Sequence, residues 1–502
     1  MVSCRFTNVR RFFTLVSVIV VTQVAIAVAA GEIRHAVTED FTSLDPAKIA
    51  SQTDRLIAIN VYSRLIRAVP GSAEVEPDLA ESWEVSEDGL TYTFKLRRGV
   101  TWQGGYGTFT SDDVRFTVEY HQLDSVASRV GLVFENIASV ETPDENTVIF
   151  HLSQPTPALM ASLAWHAGFI ISRSAVDAMG PGFAQHPIGT GPFAFSSHSR
   201  GEEIRLDRYD RYFGAAPLVE TIRIRVVPDE SLAIQALIAG QIDAVPVGTI
   251  AGWRTVRGRS DVNLTDGATN WNAGIWINQC QPPLSDIRVR QALAHAIDYD
   301  AFYRRIDDYV TPNTSFLAFQ LFGHISVPRY EYDIERARQL LDESGVDPSS
   351  LTIRFLTQDR FFEDVTLIIA DYWRRLGLQV EVQREDRALV TERWTRGDYD
   401  AFINGLGRVD ALELQAFFSS RYPQNPVCYS GADDLWEEQA TKVDVDQRAA
   451  LLGQIQVLVS RDVQMIPLGP NMNPLVTRVG LSGILTDNYL GVVEYREAHW
   501  LE

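Results

Sequence analysis

The chain reads as an α/β protein built in at least two lobes. Three observations predict that class. Short runs of β periodicity alternate with runs of helical periodicity along most of the 502 residues. One stretch forms a complete βαβ unit: "ETIRIRVV" from Glu220, then "DESLAIQALIA" stopped by Gly240, then "QIDAVPV". No short-period repeat, low-complexity tract or long Gly/Ser linker interrupts the pattern, so the lobes are joined without flexible tethers.

The elements follow in order. "GEIRHAV" at Gly31 is a first strand, and a helix is predicted over residues 53–68. "TYTFKL" at Thr91 alternates strictly and puts Tyr92, Phe94 and Leu96 on one face. In "TSDDVRFTVEYH", Thr110 and Asp113 have capping-box spacing, which starts a helix. "NTVIFHL" at Asn146 is another strand. In the βαβ unit, Ile222, Ile224 and Val226 point inward and Arg223 and Arg225 outward.

"LSDIRVRQALAHAID" repeats apolar residues at helical spacing (Val289, Ala292, Leu293, Ala296, Ile297). Ser285 or Asp286 can cap that helix, while Arg288, Arg290 and His295 fall outside the stripe. Further on, "DIERARQLLDES" ends at Gly345, "LTIRFLT" is a strand, and "FEDVTLIIADYWRRL" ends at Gly377. "LQVEVQ" and "YDAFING" are strands, "DQRAALLGQIQVLVSR" is a long helix, and "VQMIPLG" closes the series.

Residues 1–30 have a different character. Arg5, Arg10 and Arg11 precede an apolar run over 12–28, and small residues follow at Ala27, Ala29, Ala30 and Gly31. That order predicts a secretory signal peptide, hence an exported protein. No cysteine follows the run, and no later segment approaches about 18 uninterrupted apolar residues. The formal net charge is −20, which makes nucleic acid and anionic lipid poor partners. Beyond the signal only Cys280 and Cys428 remain. In an oxidising compartment this pair allows a disulfide, and two separate buried thiols are the alternative.

Motifs for catalysis are missing. "GTGPF" at Gly189 lacks the Gly-Lys pair of a phosphate loop and leads into a strand, so it is expected to be a tight turn at a domain crossing. There is no Gly-x-Ser-x-Gly elbow and no His-Glu-x-x-His, and the histidines are scattered. Asp112/Asp113 and Asp433/Asp434 sit at helix starts, where carboxylates cap. No enzyme activity, cofactor or metal is expected.

Several segments together resemble the family 5 extracytoplasmic solute-binding proteins, the periplasmic dipeptide- and oligopeptide-binding receptors of ABC importers. They are "SLDPAK", "PDLAESWEVSEDGLTYTFKLRRGVTW", "FTSDDVRFTVEY", "IGTGPFAF", "RYDRYFG", "LIAGQIDAV", "PPLSDIRVRQALAHAIDYD", "YDIERARQLLDESG", "LGLQVEVQ" and "GDYDAF". They occur in the family's order and span nearly all of the chain after residue 30.

The resemblance implies a two-lobed periplasmic binding protein fold of type II kind. The first lobe would comprise 31–69, 191–269 and 481–502. An α/β subdomain over 70–190 would be inserted in it. The second lobe would run over 270–480, with hinge crossings near Asn270 and Gly480. A small solute, a peptide or something peptide-like, would lie between the lobes of a monomer and pass to permease subunits in the membrane.

The resemblance also implies candidate contacts. Thr38, Glu39 and Asp40 follow the first strand, in a loop that faces the cleft in the family. Asn270, Trp271 and Asn272 stand at the crossing. The loop "NGLGRVDALE" offers Arg408 for a solute carboxylate and Asp410 for an amino group. Peptide-binding relatives commonly carry a Trp-x-x-Asp-Tyr-x-Asp-Pro-like segment there; this chain has Leu406 in place of an aromatic and no Asp-Pro. An oligosaccharide, opine or metal chelate therefore stays open as ligand, and a secreted hydrolase is the remaining, least supported alternative.

Overall fold

The computed structural model describes residues 31–69, 74–265, 268–358, 360–422, 428–487 and 492–501. The expected signal peptide lies outside them. Three sheets organise the chain. The largest has seven strands in the order Val262–Leu264, Leu475–Arg478, Ala244–Pro246, Glu32–Val37, Thr221–Val226, Glu203–Arg208 and Phe193–Ser199. Glu32–Val37 and Thr221–Val226 pair in parallel, from Glu32↔Thr221 to Val37↔Val226. On the latter strand Ile222 and Ile224 are buried and Val226 half-buried, while Arg223 pairs outward with Glu32 and Glu203.

A second sheet of five strands runs Gln379–Arg384, Thr352–Thr357, Ala401–Leu406, Ala268–Ile277 and Met465–Met472. A third, antiparallel sheet of four strands joins Ala80–Val85, Thr91–Leu96, Thr147–Leu152 and Ile137–Asp144. Its core takes Tyr92, Phe94 and Leu96 from the strictly alternating strand. The helix Ser111–Gln122 lies over it and begins with the expected Thr110–Asp113 capping box.

The four-stranded sheet carries one apolar core, and the two larger sheets carry one on each face. Leu65 and Ile66 already pack in the core of the four-stranded sheet, which ends with Ile170. Ile171, Ala175 and Phe183 belong instead to the core of the seven-stranded sheet. Residues 65 and 66, outside the expected insert, thus pack with its core, and residues 171, 175 and 183, inside it, pack with the seven-stranded sheet. This also shortens the predicted helix over 53–68: it stops at Val61, because the chain must turn into the insert.

The return crossing is expected near Gly480. Leu475–Arg478 already pairs with Ala244–Pro246 and Val262–Leu264 of the seven-stranded sheet. The two crossing segments are bound to each other: the Leu475 N–H donates to Thr265 Oγ1 at 3.0 Å, and the Thr265 N–H to the Leu475 carbonyl at 3.1 Å. Nearby, Trp253 donates to the Asp307 carbonyl at 2.9 Å, and Tyr309 donates to the Val247 carbonyl at 3.0 Å.

"GTGPF" is a close approach of backbones. A Cβ on Gly189 would sit 1.9 Å from the Val61 carbonyl oxygen, so only glycine fits. The helix Ile287–His295 is capped by Asp286 and buries Val289, Ala292 and Leu293. Arg288 pairs with Asp286 at 2.6 Å. Arg290 differs from expectation. It is buried and donates to the carbonyls of Leu284, Ser285 and Asp462, which ties the helix to the end of Val445–Arg461. Cys280 and Cys428 form a disulfide, with their Cα atoms 5.2 Å apart.

Candidate functional site

The strand Ala268–Ile277 leaves the hinge and enters the five-stranded sheet beside Ala401–Leu406, with Asn272 opposite Leu406 and Ala273 opposite Gly405. Trp271 packs against the cores of both the five-stranded and the seven-stranded sheet, so it stands where the lobes meet. Glycines make its seat. A Cβ on Gly405 would lie 1.9 Å from Trp271 Cδ1, and one on Gly407 2.8 Å from its Cε3. The indole ring therefore rests directly on the backbone of residues 405–407.

The loop that follows carries the charges. Asn270 donates from Nδ2 to the Arg408 carbonyl, which fixes the loop against the crossing strand. Arg408 donates to the Gly407 carbonyl at 2.7 Å and lies over the Phe417 ring, 5.2 Å from its centroid. Phe417 stacks in turn on Trp394 at 5.5 Å. Val409 belongs to the core of the seven-stranded sheet, so the loop touches the opposite lobe.

Glu413 lies 3.8 Å from Arg408 and has Ser162, from the insert helix Leu159–Leu163, as a hydrogen-bond partner. Burial pushes the Glu413 carboxyl up to about 7, against the opposing pull of Arg408. Arg408 keeps 30% of its side-chain surface exposed, yet the walls around it are deep enough that desolvation lowers its pKa. Two buried acceptors, Glu413 Oε1 and Asn270 Oδ1, have no hydrogen-bond partner among the described residues. Charged groups with shifted pKa values and unmatched polar atoms between lobes make this the candidate recognition site.

The expected residues divide into three groups. Asn270, Trp271 and Arg408 come together where the two cores meet. Asn272 and Asp410 do not face it. Asn272 donates to the carbonyls of Ser315 and Phe316 inside the second lobe. Asp410, expected to meet a solute amine, instead accepts two bonds from the Arg448 guanidinium, and the two side chains are 4% and 5% exposed. Thr38, Glu39 and Asp40 lie at the carboxyl end of Glu32–Val37. Thr38 and Glu39 are exposed, whereas Asp40 bonds His198 at 2.9 Å and the Gly201 N–H at 2.8 Å, holding a hairpin turn. Sequence reasoning missed Glu413, Phe417 and Ser162. An acid five residues after Arg408 was the available signal; nothing in the sequence places Ser162 opposite it.

The family model for bacterial extracellular solute-binding proteins, family 5 (middle), matches residues 74–425. The chain belongs to that family. Relatives of this family 5 protein include the dipeptide-binding protein of Escherichia coli K12, 29% identical over 447 residues, covering 80% of this chain and 82% of that one. Heme-binding protein A of Haemophilus influenzae is 28% identical over 460 residues, covering 84% and 83%. Among solved structures, CtaP of Listeria monocytogenes superposes with a TM-score of 0.86 at 25% identity, covering 94% of this chain and 100% of that one. MoaA in complex with mannopinic acid, from A. tumefaciens R10, does so with a TM-score of 0.82 at 27% identity and the same coverage. The family consists of extracytoplasmic binding proteins of ABC transporters rather than enzymes. No described helix is long and apolar enough to cross a membrane.

Proposed function

We propose that this chain is the periplasmic receptor of an ABC importer, which captures a short peptide or peptide-like solute between its two lobes and delivers it to the membrane permease. The observation that carries this reading is Arg408, a cation set between lobes, stacked on Phe417 and without a close carboxylate: Glu413 stays 3.8 Å away. A solute carboxylate supplies the missing charge-assisted bonds.

The mechanism needs no covalent step. The lobes swing about the paired crossings at Thr265 and Leu475. A solute held from both sides selects the closed form, because only that form makes both sets of contacts. Closure removes water and strengthens each polar contact, with Trp271 as an apolar wall. The closed receptor, a monomer released from its signal peptide, then docks on the permease.

Native mass spectrometry of the protein from its own periplasm tests the reading first, since a retained solute declares its mass. Calorimetric titration with short peptides follows. Arg408→Ala should weaken binding by about 10- to 100-fold, the value of one charge-assisted contact. Heat from neutral oligosaccharides alone, unchanged in Arg408→Ala, would remove the claim. An opine is the second reading, favoured by the likeness to the structure that holds mannopinic acid; titration with that acid separates the two.

A further inference from the structure

The loop after Ala401–Leu406 holds a cation and an acid that attract each other without a hydrogen bond between them. Arg408 Nε and Glu413 Oε2 are 3.8 Å apart, beyond hydrogen-bonding length. One N–H of the guanidinium is taken by the Gly407 carbonyl and one face by Phe417. Glu413 Oε1 is buried without a partner among the described residues. The other acid of the loop, Asp410, is already matched by Arg448 from the helix Val445–Arg461. From the insert, Glu413 meets the uncharged Ser162. Among the described residues, the charged groups acting on Glu413 are Arg408 and Asp410, with Arg448 behind the latter, and its carboxylate also accepts the Val409 N–H.

A solute carboxylate that settles on Arg408 arrives beside Glu413. Two ionised carboxylates a few ångströms apart in a closed crevice repel each other, and one of them takes a proton. Glu413 is the group prepared to do so. Burial already holds its carboxyl at about 7, and an approaching anion raises it further.

We infer that Glu413 takes up one proton from solvent when a solute carboxylate binds Arg408, and that its new O–H then donates to that carboxylate alongside the guanidinium. No bond other than O–H forms or breaks, and nothing is oxidised. The inference rests on the receptor reading above and names the charge class of its solute: a carboxylate-bearing anion or zwitterion. A purely cationic solute would expel the proton instead. The sign for affinity follows. Binding with proton uptake weakens as pH rises above the free Glu413 value, by up to about tenfold per pH unit.

The test is calorimetry at pH 8 in phosphate and in Tris, whose different ionisation heats reveal protons exchanged on binding. The probes are a dipeptide with a free C-terminus, its C-terminal amide, and mannopinic acid. Expected for a free-carboxylate probe is uptake approaching one proton in the wild type and none in Glu413→Gln. That variant should bind more tightly than wild type at pH 8, by up to about tenfold, and its affinity should not change between pH 6 and 8. The amide should bind weakly to both. Proton release, or no exchange with the wild type, overturns the inference and leaves the receptor reading standing. Loss of binding in a Glu413→Gln protein that melts like the wild type overturns it too. If neither carboxylate probe binds at any pH, the peptide-like reading itself falls, and this inference with it.

Discussion

Replacing Asp410 by alanine asks whether this carboxylate holds the fold or the solute. Its two oxygens receive both terminal nitrogens of Arg448. Oδ1 also accepts the Leu412 N–H at 2.8 Å and so starts the short turn Ala411–Leu414 that carries Glu413. Removing one partner of a buried ion pair leaves the other charge unmatched, which costs about 3–5 kcal/mol. Gln439 Oε1 lies 3.3 Å from two Arg448 nitrogens and absorbs part of the loss. The expected cost therefore sits at the lower end, about 3 kcal/mol, even with the lost cap included. Urea unfolding followed by fluorescence reads it as a lower midpoint at unchanged slope. Asp410→Ala combined with Arg448→Met leaves neither charge of the pair buried and should recover to within about 1 kcal/mol of wild type. A single-mutant cost below about 1 kcal/mol, the range of exposed pairs, would refute the reasoning. A loss of solute binding at full stability would return Asp410 to the recognition role.

Three further outcomes are expected. Gly405→Ala forces a methyl into the Trp271 ring, so overpacking should cost about 1–3 kcal/mol and shift the tryptophan emission; an unchanged spectrum and Tm would contradict the seat described for the indole. Cys280 and Cys428 close 148 residues of chain, and replacing both by serine should remove stability of about 5 kcal/mol by loop-entropy reasoning; calorimetric melting with and without reductant checks it. Between the ordinary Glu value of 4.5 and about 7, the folded state keeps a proton on Glu413 that the unfolded chain gives up. Its contribution to stability thus falls as pH rises through that window and levels above it, and Glu413→Gln should flatten this component in urea midpoints measured from pH 4.5 to 8.

The fold was legible wherever burial wrote a period into the sequence. Tyr92, Phe94 and Leu96 alternate because one face of a half-covered sheet is dry, and the helix Ile287–His295 shows its stripe for the same reason. Arg290 broke the pattern, since a guanidinium can be buried when carbonyls of a distant helix receive it, and no periodicity reports that. Which core a residue near a lobe boundary joins was not legible, for a related reason. Leu65, Ile66 and Leu475 look like ordinary apolar residues, and only the core they join tells which sheet owns them. At the candidate site, Arg408 was visible as a loop cation and Trp271 as an aromatic at the crossing. The burial of Asp410 in an ion pair was not, because its partner Arg448 is 38 residues away.

The seven-stranded sheet has a consequence for biogenesis. It needs Glu32–Val37 from the start of the described chain and Leu475–Arg478 from near its end. Asn60 is likewise bound on both its donor and acceptor sides by residues 493 and 495. A chain synthesised from its N-terminus cannot assemble this sheet until almost every residue has emerged. The strands of the five-stranded sheet lie within 268–472 and are free to associate sooner. The part made first is thus completed last, and meanwhile it carries unpaired strand edges that a holding chaperone would have to shield.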